Sequence, residues 1–85
     1  MKHAGPDALA ALAPLLAELR SLDAIQERAT GTFYRKSKAF LHFHEDPEGL
    51  FADLRLKADA DFERLRVSTA AERKRFMALV RMSLK

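Results

Sequence analysis

Hydrophobic positions along the chain change period twice, and the changes divide it into three parts. Over residues 7–20, Leu9, Leu12, Leu16 and Leu19 recur at spacings of three and four, the stripe of an amphipathic helix. Asp7 favours a helix start, because a carboxylate there meets unpaired N–H groups and the positive end of the helix dipole. Pro14 interrupts the run. Inside a helix, proline removes one hydrogen bond and clashes with the carbonyl four residues back. Either the helix kinks, or its regular part begins near Ala13 with Pro14 in the first turn. Residues 21–23 then turn the chain, and residues 1–6 are expected to be disordered.

Residues 24–67 lose the helical period. Strands are expected over residues 25–28, 32–35, 39–45, 50–56 and 62–67, with the clearest alternation at Leu50, Ala52, Leu54 and Leu56. Ala29-Thr30-Gly31, Lys36-Ser37-Lys38 and the polar residues 58–61 punctuate them. Asp46-Pro47-Glu48-Gly49 is the strongest turn signal: Pro47 pre-sets φ and Gly49 tolerates positive φ. Residues 70–84 return to a helical period through Phe76, Leu79, Val80 and Leu84. Thr69 and Glu72 form a capping box before that stripe, and Arg81 and Lys85 lie at its carbonyl end, where positive charge is favoured.

This order predicts an α+β fold: a four- or five-stranded antiparallel meander flanked by an N-terminal and a C-terminal helix. Both helices would lie on the face carrying Leu41, Phe43, Leu50, Ala52, Leu54, Leu56, Leu65 and Val67, as a two-layer sandwich. If residues 46–49 are a hairpin loop, Glu45 faces Leu50, His44 faces Phe51, His42 faces Asp53 and Phe40 faces Arg55. The last strand adds Phe62, Arg64 and Arg66 to the non-core face. His42, His44, Asp53, Phe40, Phe51, Arg55, Arg64 and Arg66 are therefore the candidate binding residues. A register slip of one residue would reverse the whole assignment. Exposed aromatics in an open sheet face also suit self-association or a protein partner, and an undedicated, solvated face is the plainest alternative.

Length and composition narrow these readings. A chain of 85 residues is one domain, and 48% hydrophobic with 32% charged residues is ordinary for a globular protein. The absence of cysteine excludes disulfides, thiolate metal ligands and a cysteine nucleophile. The Ala- and Leu-rich run 8–19 is bordered or broken by Asp7, Pro14 and Glu18 and falls short of the ~20 apolar residues that span a bilayer. A cytoplasmic protein without a membrane partner is expected. A net charge of +3 allows a small anionic ligand, but dedicated nucleic-acid modules carry a denser basic face.

His42 and His44 invite three chemistries. A strand His-x-His presents two metal ligands on one face. With Glu48 it resembles the first half of the cupin metal motif over residues 42–48, but the cupin glycines and later histidine are missing, and the match is read as chance. A metal site would need a third ligand, for which Asp53 is the candidate; no metal or cofactor is expected. His42 with Asp53 also begins a catalytic dyad. No nucleophile accompanies it, since Ser37, Ser68 and Ser83 lie in a turn and at helix ends, and Tyr34 is the only other proton donor. Arg55, Arg64 and Arg66, with Lys36 and Lys38, suit phosphate, but Asp59, Asp61 and Glu63 dilute the charge.

The segments Gly31-Thr32-Phe33-Tyr34-Arg35, 39–46, 49–56 and 62–69 together resemble a set of short uncharacterised bacterial proteins. These share a Phe-Tyr-Arg strand, an apolar strand ending in His-x-His, and a Gly-Leu-Phe-Ala-Asp-Leu strand before a terminal helix. The pattern is also distantly similar to the small luciferase-like domain that carries His-x-His on a strand. The similarity covers residues 25–80, leaves out the first helix and implies no activity. The sequence thus points to a small interaction or ligand-binding module centred on His42 and His44, without catalysis of its own. A metal- or His-dependent enzyme completed by dimerisation and a phosphate or nucleic-acid binder are the alternatives.

Overall fold

The computed structural model describes residues 1–85. The first helical region is two helices, α1 over Pro6–Ala11 and α2 over Ala13–Arg20, broken at Leu12. A continuous helix would set the Pro14 ring against the carbonyl of Ala10. The break removes that conflict by starting α2 at Ala13, so that Pro14 falls in its first turn, where no N–H is needed. Asp7 does not cap α1. The capping position is Gly5, without a side-chain bond, and Asp7 follows Pro6 in the first turn.

Beyond a two-residue strand β1, Lys2–His3, the sheet is an antiparallel meander of β2 (Gln26–Ala29), β3 (Thr32–Arg35), β4 (Lys38–Asp46), β5 (Gly49–Leu54) and β6 (Glu63–Arg66), in that spatial order. Helix α3, Ala70–Ser83, follows. The β4–β5 register pairs Glu45 with Leu50, His44 with Phe51 and His42 with Asp53, as the turn chemistry predicts. Asp46 pairs with Gly49, so Pro47 and Glu48 form the turn, and the Asp46 carboxylate accepts the Glu48 N–H at 3.1 Å. The β3–β4 turn is a two-residue one in which Lys36 and Ser37 both take positive φ.

Two expectations about the strands need correction. The first residues are not disordered: Lys2 pairs with Glu45 and His3 with His44. Because β5 holds the other edge of β4, β1 takes the edge that β3 leaves after Thr32 pairs with His42. Glu45 fastens this segment, accepting from the Gly5 N–H at 3.3 Å and pairing with Lys2 at 3.1 Å, while the Ala4 N–H donates to the Phe43 carbonyl at 3.1 Å. The second correction concerns Phe40. It is only 3% exposed and packs with the core cluster. Phe33 pairs with Leu41 but Tyr34 with Ala39, so Phe40 is the extra residue of a β-bulge, a device that re-aims a side chain out of simple alternation.

Both helical layers cover one face of the sheet. Leu15, Leu16 and Leu19 from α2 and Phe76, Met77 and Val80 from α3 join Phe33, Leu41, Phe43, Ala52 and Leu54 in one buried cluster, with Phe43 and Phe76 ring centroids 6.0 Å apart. Val67 is fully buried, whereas Leu50, Leu56 and Leu65 are partly buried at the margin. The capping box is formed: Thr69 accepts the Glu72 N–H at 3.1 Å and Glu72 accepts the Thr69 N–H at 3.0 Å. No helix is long and apolar enough to cross a membrane.

Leu54 is 0% exposed, so Leu54→Asp should unfold the domain by burying an unpaired carboxylate. Phe51→Asp, on the opposite face, should leave a cooperative thermal melt. Comparable losses in both would reverse the face assignment. Thr69→Ala should lower stability by about 1 kcal/mol in a denaturant titration, through loss of the α3 cap.

Candidate functional site

The non-core face gathers a third imidazole beside the two predicted from alternation. His42 and His44 project from β4 on the face away from Leu41 and Phe43, and β1 sets His3 directly across from His44. Ring centroids are 4.7 Å apart for His42 and His44, 4.8 Å for His3 and His44, and 5.7 Å for His3 and His42. One ring nitrogen from each lies within 4.8 Å of the others. His3 lies at the exposed rim, while His44 is 8% exposed.

Behind the imidazoles stands Asp53, 7% exposed. Arg64 grips it bidentately, with Nε to Oδ1 at 2.8 Å and Nη2 to Oδ2 at 2.9 Å. His44 Nε2 lies 3.1 Å from Oδ2, and His42 Nε2 lies 4.0 Å from the same oxygen. An ionised carboxylate only accepts, so Nε2 of His44 carries the proton; in the neutral ring Nδ1 is then an unprotonated acceptor. Nδ1 of His44 and Nδ1 of His42 are both buried without a hydrogen-bond partner.

The electrostatics follow from this packing. Arg64 holds the Asp53 carboxyl below the usual carboxylate value, through its hydrogen bonds and its charge, against the opposing effect of burial. Burial and the neighbouring His44 hold His42 below the ordinary imidazole value, although Asp53 pulls the other way. His42 is therefore a neutral ring at pH 7.

The other residues expected on this face divide. Phe62 stands edge-on to His42 at 4.8 Å, and the Arg55 guanidinium lies over Phe62 at 4.4 Å. Arg55 also donates to the carbonyls of Ala39 at 2.9 Å and Ala60 at 2.6 Å, which ties the loop after β5 to the sheet. Arg66 pairs with Glu72 at 3.2 Å and donates to the Glu48 carbonyl at 3.2 Å, opposite Phe51. The three arginines are thus engaged within the fold, and Phe40 lies under the surface rather than on it. His42, His44, Asp53 and Arg64 form the constellation itself. His3 is not among the residues that the sequence pattern singles out, because no periodicity marks it; its one signal is its identity as the remaining histidine of three.

Comparison with known proteins finds no match to this chain, whether among family models, curated proteins or solved structures.

Asp53→Asn should lower stability by about 1–3 kcal/mol, since it weakens the charge-assisted bonds of Arg64 and His44 at a buried position. Both shifted groups have depressed values in the fold, so each favours the folded state above its unfolded value and withdraws that support as pH falls. The His42 contribution fades below its ordinary value of 6.5, and the Asp53 contribution fades at more acid pH, below its ordinary value of 3.8. Urea titrations across this range should show stability falling with acid in two stages; Glu27, Glu45 and Glu72, also held low by their partners, share the lower one, and Asp53→Asn should make it smaller.

Proposed function

We propose that the chain is a small ligand-binding module, without catalysis of its own, whose site is the face formed by His3, His42, His44 and Asp53. The observation that carries this reading is the pair of buried, unpartnered Nδ1 atoms on His42 and His44. Leaving a buried polar atom unpaired costs about 1–3 kcal/mol, and such atoms mark places where a water, ion or ligand completes the bonding. Two of them side by side, in a patch that a third imidazole overhangs, favour a ligand over an undedicated surface.

Several observations favour this over the alternatives. Among large hydrophobic residues only Met1 and Met82 are exposed, and Phe51 and Phe62 on this face are half-buried, which disfavours self-association through it. Nucleic-acid binding is disfavoured because Arg55, Arg64 and Arg66 already have internal partners. Covalent catalysis by the histidines would need a nucleophilic side chain. Ser68 accepts the Leu50 N–H at 2.8 Å and Ser83 donates to the Leu79 carbonyl at 2.8 Å, which occupies both hydroxyls elsewhere.

Long-range proton–nitrogen NMR of the histidine rings tests the reading, using inorganic phosphate and Zn2+ as separate probes on tag-free protein. At least one probe should shift the ring nitrogens of His42 and His44 saturably, and His42→Ala should abolish the response. Rings that respond to neither probe would overturn the proposal.

A further inference from the structure

We infer that the ligand of this face is a divalent transition-metal ion of the zinc type, held by His3, His42 and His44. The inference rests on the module reading above and names its ligand class. Three ring nitrogens within 4.8 Å of one another have a common point within about 2.8 Å of each, and Zn–N bonds are about 2.0–2.1 Å. Closing that gap asks each nitrogen to shift by about 0.7 Å, and the most exposed ring, His3, sits on a two-residue edge strand.

The donor set selects the ion class. Three imidazoles and no thiolate suit zinc and its neighbours rather than calcium or magnesium, which take oxygen ligands. Asp53 is not the third ligand. Arg64 and His44 occupy both its oxygens. It serves instead as the outer partner that fixes the ring and tautomer of a metal-binding histidine. With Nε2 of His44 turned to Asp53, Nδ1, the atom that lacks a partner, is the one left free to take an ion. Three protein ligands leave the fourth tetrahedral position for water or an exogenous donor.

The test uses the full tag-free chain. Co2+ should bind one per chain and give the strong visible absorption of a tetrahedral site, and Zn2+ should displace it. In the Zn2+-loaded protein, long-range NMR should show Nδ1 of His44 metallated and Nε2 still protonated. His3→Ala lies at an exposed edge and should fold normally while losing the visible bands. Asp53→Asn, a positioning change, should weaken Zn2+ affinity about ten- to a hundredfold, read by chelator competition. Absent visible bands, or bands unchanged in His3→Ala, would overturn the inference. Rings that answer inorganic phosphate and not Zn2+ would overturn it while leaving the ligand-binding module intact; rings that answer neither would remove both.

Discussion

Pairing on both edges of β4 is the constraint on which the rest depends. Along one edge β5 fixes His42 against Asp53 and His44 against Phe51, and along the other β3 and β1 share the strand. With both ladders in place the strand cannot slide, because a shift of one residue would bring the imidazoles into the core and expel Leu41 and Phe43. The histidines therefore point outward because the phenylalanine and leucine between them point inward. The site is a by-product of the hydrophobic pattern that builds the domain.

The opposite face of the sheet is drier than an unshielded antiparallel face. Asp53 tolerates burial because Arg64 and His44 satisfy its oxygens, and a buried charge without such partners would be strongly destabilising. Arg55 bridges the bulge region and the returning loop while covering Phe62 with its guanidinium. Much of the positive charge that composition advertises is thus structural on this face. The charge count alone overstated what is available to an anion.

Alternation and turn chemistry made most of the fold legible in advance. The Asp46–Gly49 signal set the β4–β5 register, and the register brought His42, His44 and Asp53 together. The Thr69–Glu72 box located the start of α3. Where the sequence misled, a non-local or non-periodic contact decided the outcome. Phe40 follows the alternation in sequence, but a bulge between Ala39 and Leu41, opposite Phe33 and Tyr34, redirects it. His3 belongs to a segment too short to have a period, and its place comes from Glu45, more than forty residues away, which binds Lys2 and Gly5. The pairing of Asp53 with Arg64 follows from the β5–β6 register, but the length of the loop after Leu54 hid that register from any count along the chain.

The docking of β1 has a thermodynamic consequence for the whole site. Two of the imidazoles are held by the central strand, while the third rides on an edge segment joined by a short ladder and the carboxylates of Glu45 and Asp46. A ligand that engaged all three rings would bind only the docked fraction of the molecules. Its apparent dissociation constant is the intrinsic one divided by that fraction. The Lys2–Glu45 ion pair is largely solvent-exposed on its lysine side and is screened by salt. Ionic strength would then bear on such binding indirectly, through the fastening of the segment rather than through any atom that touches the ligand.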